Sequence, residues 1–246
     1  MITRAHAQEN EGNQKLFKRE WGVNESGIKA SDCQYFLAFK LTSNDNLLHK
    51  LKEVQDECLA QDSSLHPMLE PLEKAHILLN IIRCDETRLE ELKKLIGEVV
   101  DKHRDDLANP PEIEVRGLGI ERLNLSNLYQ PISLYAKFYN TNFNPKIFDE
   151  RNDFWFSYIY DLFEKILHEN GFVTLDHCTS EELTLFRAKA GHEFKVKRRA
   201  LRPYSREVFG TLSMKDLSTL HLCSMKSTTP TSEDGFYHIE DVYSIV

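Results

Sequence analysis

Ala75-His76-Ile77-Leu78-Leu79-Asn80-Ile81-Ile82 places one histidine at the mouth of an otherwise almost wholly apolar run. A run this short and this apolar reads as a buried strand, with the imidazole at its opening. A second stretch, Glu182-Leu183-Thr184-Leu185-Phe186, has a similar pattern in the other half of the chain: a polar residue first, then apolar alternation. Two such strands constrain the fold through the elements that precede them.

Residues 34–41 are aromatic and apolar and predict a strand. Ser43 and Asp45 can cap a helix whose Leu47, Leu48, Leu51, Val54, Cys58 and Leu59 recur at helical spacing. The His76 strand follows. Asp85 can cap a second helix, with Leu89, Leu92, Leu95, Ile96, Val99 and Val100 on one face; Pro110 and Pro111 end it, and residues 112–115 alternate as a half-buried strand. The second half repeats this order. Residues 132–139 predict a strand, and residues 154–170 a helix with Phe154, Trp155, Tyr158, Leu162, Phe163 and Ile166 on a core face, stopped by Gly171. Then come the Glu182 strand, a basic segment, a short helical stretch over 204–209, and strands at 219–225 and 236–245. Strand, helix and strand, twice over, point to an α+β fold of two pseudo-symmetric lobes. Each lobe is an antiparallel sheet with helices on its outer face, and a cleft lies between them.

Residues 1–31 are polar and aperiodic, which predicts a flexible lead-in before a domain spanning 32–246. A net charge of −8 gives no overall attraction to nucleic acid or anionic membrane, so any such affinity must be local. No apolar run approaches the ~20 residues that cross a bilayer. The five cysteines are scattered without paired spacing, which suits reduced thiols better than a disulfide framework or a zinc site. Together with the lack of an apolar signal-peptide core, this predicts a cytoplasmic or nuclear protein. Lys195, Lys197, Arg198, Arg199, Arg202 and Arg206 form the one basic cluster. It reads either as a solvated connector or localisation signal, or as a patch steering phosphates toward the cleft with Tyr204 stacking on a base.

From residue 34 to 246 the chain resembles the two-histidine (2H) phosphoesterases, in particular the A-kinase anchoring protein type. Ala75-His76-Ile77-Leu78-Leu79 resembles the first motif strand, and Val115-Arg116-Gly117-Leu118-Gly119 a Gly-x-Gly strand end. Leu222-Cys223-Ser224-Met225 with Gly235-Phe236-Tyr237-His238 resembles the final strand pair. The family motif is His-x-Thr or His-x-Ser, once per lobe, and neither copy here is intact. Leu78 stands where the first hydroxyl belongs. For the second copy three positions compete: Glu182, with Thr184 two residues on; His177, in the only literal His-x-Thr; and His221, on a strand that the resemblance assigns to a later place.

The resemblance implies a mechanism without metal or other cofactor. One histidine takes a proton from the attacking hydroxyl or water, the other protonates the leaving oxygen, and the hydroxyls hold the phosphate. It implies an adenosine- or cytidine-monophosphate-sized ligand or an RNA end, and phosphodiester chemistry on 2′,5′ or 2′,3′-cyclic linkages. On this chain that reading assigns acid–base work to His76 and Glu182, with His177 as the alternative. Phosphate or nucleotide contacts fall to Thr184, Lys195, Arg198 and Tyr204, and to Leu78 in place of a hydroxyl. An ionised Glu182 about 4 Å from a phosphate would cost on the order of 4 kcal/mol at an effective dielectric of 20. Loss of one acid or base costs roughly 10²- to 10⁴-fold in rate. The expectation is a nucleotide- or RNA-phosphate-binding protein with a weak or inactive site. Two alternatives stand beside it: an active phosphodiesterase, and an interaction scaffold that keeps only the fold. No kinase-anchoring helix is identified in the sequence.

Overall fold

The computed structural model of the chain describes residues 32–125, 128–140, 154–175, 182–188, 201–225 and 231–246. The expected lead-in 1–31, His177, and Lys195 through Arg199 of the basic cluster lie outside them.

Nine strands form two antiparallel sheets among the described residues. They are β1 (Tyr35–Lys40), β2 (His76–Arg83), β3 (Ile113–Leu125), β4 (Leu128–Asn140), β5 (Val173–Thr174), β6 (Glu182–Arg187), β7 (Val208–Leu212), β8 (Thr219–Ser224) and β9 (Ile239–Ser244). The first sheet runs β5-β2-β1-β8-β9 and the second β6-β4-β3-β7. The α+β, two-lobed architecture read from the sequence is the one observed. The lobes are not, however, the two halves of the chain: β5, β8 and β9 complete the sheet begun by β1 and β2, while β3 joins the second sheet.

Among the described residues three long helices cover the sheets: α1 (Asp45–Gln61), α2 (Leu89–Lys102), followed by a single helical turn at Arg104–Leu107, and α3 (Phe154–Glu169). On α1 the residues Leu47, Leu51, Val54 and Cys58 face the core, at the spacing that lines one side of a helix. Its cap is Asn44, whose side chain accepts the Leu47 amide at 3.1 Å; neither Ser43 nor Asp45 does this work. Asp85 likewise caps no helix with its side chain, because a 3₁₀ turn at Glu86–Arg88 intervenes before α2. Gly171 does end α3, with φ +75 in the region where a side chain is strained. There Arg88 hydrogen-bonds the free carbonyls of Asn170 and Gly171. The stretch expected to be helical at 204–209 is a 3₁₀ turn, Pro203–Ser205, followed by β7.

Helices and sheets close over a core that includes Tyr35, Leu37 and Phe39 of β1. Trp155 stacks on Phe39 at 5.6 Å, as expected of a core-facing α3. Phe36, Ala38 and Lys40 alternate to the opposite face of β1, where a smaller cluster of Phe36, Ala38, Cys223 and Phe236 packs. That face carries the candidate site. The lobes are joined at β6. A bulge there, between its pairs Tyr135↔Thr184 and Leu134↔Phe186, leaves Leu185 without a partner on β4. The Leu185 carbonyl instead accepts the Glu70 amide at 3.0 Å and the buried Gln55 amide at 3.1 Å.

Candidate functional site

His76 begins β2 opposite Lys40, so the imidazole and the ammonium stand on the same face as Phe36 and Ala38. Leu78, two residues on, shares that face and packs on the Phe36 cluster. The half-buried His76 ring is enclosed by Phe36 at 5.3 Å, Tyr237 at 5.5 Å and Phe236 at 6.2 Å. Its Nδ1 lies 2.7 Å from the Lys74 carbonyl. A carbonyl only accepts, so Nδ1 carries the proton and donates it, leaving the lone pair on Nε2. Burial pushes the imidazole below its ordinary pKa; the Lys74 carbonyl opposes this, and the Arg187 charge adds to it. At neutral pH the ring is therefore an uncharged base with a fixed tautomer.

The segment before β9 supplies a wall. Gly235 turns with φ +82, its amide donating to the Ser232 carbonyl at 2.9 Å, and the Ser232 amide in turn donates to the Phe236 carbonyl at 3.0 Å. Asp234 accepts from Ser232 Oγ and the Phe236 amide and pairs with Lys40. The Lys40 ammonium and the Ser232 hydroxyl hold the Asp234 carboxyl down at about 2. The turn drops Phe236, fully buried, onto the sheet face and sets Tyr237 beside His76. Lys40 lies over the Phe236 ring at 4.9 Å and Lys74 over the Tyr237 ring at 5.0 Å.

The second sheet contributes through β6. Register places Gly119, Tyr135 and Thr184 in one row, and Arg116, Lys137 and Glu182 two rows on, beyond the row of Leu118, Ala136 and Leu183. Arg187, three residues past Thr184, donates to its hydroxyl at 3.3 Å and pairs loosely with Glu70 at 3.7 Å. The guanidinium charge acts on both His76 and Tyr237, so one cation from the second sheet reaches two rings of the first.

Of the residues singled out in the sequence, His76 and Leu78 thus share one face, while Thr184 lies on β6 and accepts a hydrogen bond from Arg187, whose charge acts on His76. Glu182 opens β6 two rows from Thr184. His221 stands opposite Ala38 on β8, in the same sheet as His76, so it lies beside the first half-site and not across from it. Burial and the Lys40 charge push its pKa down, and its buried Nδ1 has no hydrogen-bond partner. Tyr204, expected as a base-stacking ring, is instead 6% exposed in the core below Gly117; the 3₁₀ turn folds it inward. Sequence reasoning missed Arg187, Lys40, Lys74, Glu70 and Tyr237. Only Lys40 and Tyr237 lay in stretches already noted, and neither was noted for its own side chain. Among the described residues no group of three His, Cys, Asp or Glu side chains gathers as a metal site, and no helix is long and apolar enough to cross a membrane.

Two antiparallel sheets, one of them opened on β2 by a histidine, make the two-lobed fold expected of a 2H phosphoesterase. Within that class, this chain belongs to the family of the AKAP7 2′5′ RNA ligase-like domain, whose model matches residues 33–245. Among solved structures it is similar to TT0787 of Thermus thermophilus, at 16% identity and a TM-score of 0.51, over 86% of this chain and 97% of that one. It is also similar to E. coli LigT, solved with 3′-AMP, at 10% identity and a TM-score of 0.48, over 86% of this chain and 97% of LigT. No curated protein matches the chain by sequence.

Proposed function

We propose that the gap between the sheets binds the phosphate of a nucleoside monophosphate or an RNA end, and that phosphodiester turnover there is weak or absent. The observation that supports it best is that the Arg187 guanidinium charge acts on the uncharged His76 imidazole, while Leu78 stands where a hydroxyl would be. A cation within reach of an uncharged base suits an anionic ligand. With Thr184, Arg187 offers donors to phosphate oxygens; Leu78 offers none. Glu182, in the place of a second histidine, is anionic at neutral pH when its pKa is ordinary and so has no proton for a leaving group. The basic cluster, including Lys195 and Arg198, would extend the attraction to a longer nucleic acid.

Titration calorimetry with AMP, CMP and short RNAs tests binding, and silence across that set leaves only an interaction scaffold. Turnover is tested with 2′,5′-oligoadenylate and 2′,3′-cyclic nucleotides. The expected result is binding with little turnover, and a gain of at least roughly a hundredfold in turnover when Glu182→His and Leu78→Thr are combined. The fixed tautomer of His76, with its lone pair on Nε2, favours a second reading: an active phosphodiesterase in which Glu182 or His177 is the proton donor. Turnover by the unaltered protein that disappears in His76→Ala would establish that reading.

A further inference from the structure

We propose that the Tyr237 phenol is itself a phosphate-binding group, donating a hydrogen bond to a phosphate oxygen in the half-site where Leu78 has none to give. This rests on the phosphate-binding reading above and assigns that site a residue outside both motifs.

The placement of the ring is over-determined. The Ser232–Phe236 turn fixes the approach of the chain, and Phe36 at 4.9 Å, Phe236 at 5.4 Å and His76 at 5.5 Å all meet Tyr237 nearly edge to face. Lys74 covers the ring at 5.0 Å, so the ring is already engaged as an aromatic partner. For packing alone, phenylalanine would do, as it does next door at Phe236. The hydroxyl is the unexplained group. It feels the charges of Glu70 and Arg187, both from the side where β6 lies. Arg187 also acts on His76, so phenol and imidazole border one space. Burial raises the phenol's pKa further above neutrality, which keeps its proton available for donation. Leu78 and Tyr237 pack on the same small cluster, Leu78 from the strand and Tyr237 from the turn, and the Tyr237 ring meets His76 at 5.5 Å.

Tyr237→Phe keeps the ring and removes only the donor. Calorimetry with AMP, adenosine and inorganic phosphate reads the result. A hydrogen bond to a charged oxygen predicts AMP binding about tenfold to a hundredfold weaker, adenosine binding unchanged, and the same melting temperature. Leu78→Thr placed in the Tyr237→Phe background restores a hydroxyl to the half-site and recovers most of the lost affinity. Unchanged AMP affinity in Tyr237→Phe overturns the proposal, as does an equal loss for adenosine, which would mark the residue as a base contact. No recovery with Leu78→Thr also counts against it. If the unaltered protein binds none of the three probes and no short RNA, the phosphate-binding reading itself fails, an outcome distinct from the others.

Discussion

Gly119 sits opposite Tyr135, and Tyr135 opposite Thr184, so a ring and a hydroxyl of the second lobe share one row of the sheet. A methyl group at position 119 would stand 2.5 Å from Cε2 and 2.7 Å from the hydroxyl of Tyr135. The obstacle is a side chain and not backbone, so in Gly119→Ala the ring must rotate off its bed. Such overpacking costs about 1–3 kcal/mol. The backbone at 119 is not left-handed, so alanine also gains about 0.4–1 kcal/mol by restricting the unfolded chain. The difference predicts a net effect between about zero and a loss of roughly 2.6 kcal/mol, centred on a loss because the ring clash is the larger effect. In a Tyr135→Ser background the clash is gone and only the gain remains. Gly119→Ala there should stabilise by about 0.4–1 kcal/mol, a reversal of sign. Urea denaturation of the four proteins measures this, with an unchanged slope as the check that the midpoint reports stability. An equal cost of Gly119→Ala in both backgrounds would refute the account of why this position has no side chain. The displaced ring should also weaken AMP binding in Gly119→Ala alone, because Thr184 is its cross-strand neighbour.

Gly97 gives the opposite case: it lies within α2, where a Cβ would meet Tyr243 at an ordinary 3.7 Å, so Gly97→Ala should stabilise by about 0.5–1 kcal/mol in the same denaturation assay. Burial lowers the folded-state pKa of His76 and His221, so the unfolded chain binds protons first as pH falls. Stability contributed by the neutral rings is present above about 6.5 and is lost as pH falls toward the folded values; melting curves should show this, less steeply in His76→Gln. Arg187→Gln removes a charge that lowers the His76 pKa, so an NMR titration of that imidazole should shift upward, and no upward shift would place Arg187 elsewhere. Asn80 is fully buried with neither amide atom hydrogen-bonded, so Asn80→Leu should raise stability by about 1–3 kcal/mol, and a loss would mean that the amide has an unseen polar partner such as water.

Long periodic patterns were legible in the sequence because their burial is local. The Leu47–Leu51–Val54–Cys58 stripe, the His76 strand and the Gly171 stop each carry their cause within a few residues. The interleaving of the sheets was not legible. Nothing in 219–224 or 239–244 says that these strands extend β1 and not β6, since that choice is made by packing. Caps were misread where several polar residues compete: Ser43, Asn44 and Asp45 are adjacent, and only geometry selects Asn44. β7 was misread because Val208-Phe209-Gly210-Thr211-Leu212 is short and carries a glycine, which weakens any strand signal. At the site, Leu78 stood out because a motif failed there. Lys40, Arg187 and Tyr237 did not, because an isolated cation or phenol reveals its role only when folding brings distant strands together.

His76 is placed early in the chain, whereas Phe236 and Tyr237 arrive with the turn just before the last strand. During synthesis the imidazole therefore leaves the ribosome long before its aromatic enclosure exists, and β1 and β2 wait with an unfinished apolar side until β8 docks on β1. The first lobe is in this sense sealed last. A nascent chain halted before residue 231 would hold its helices and most strands, yet expose Phe36 and Ala38 to water and to chaperones. The enclosure of His76 and protection from aggregation would then be acquired in the same closing step.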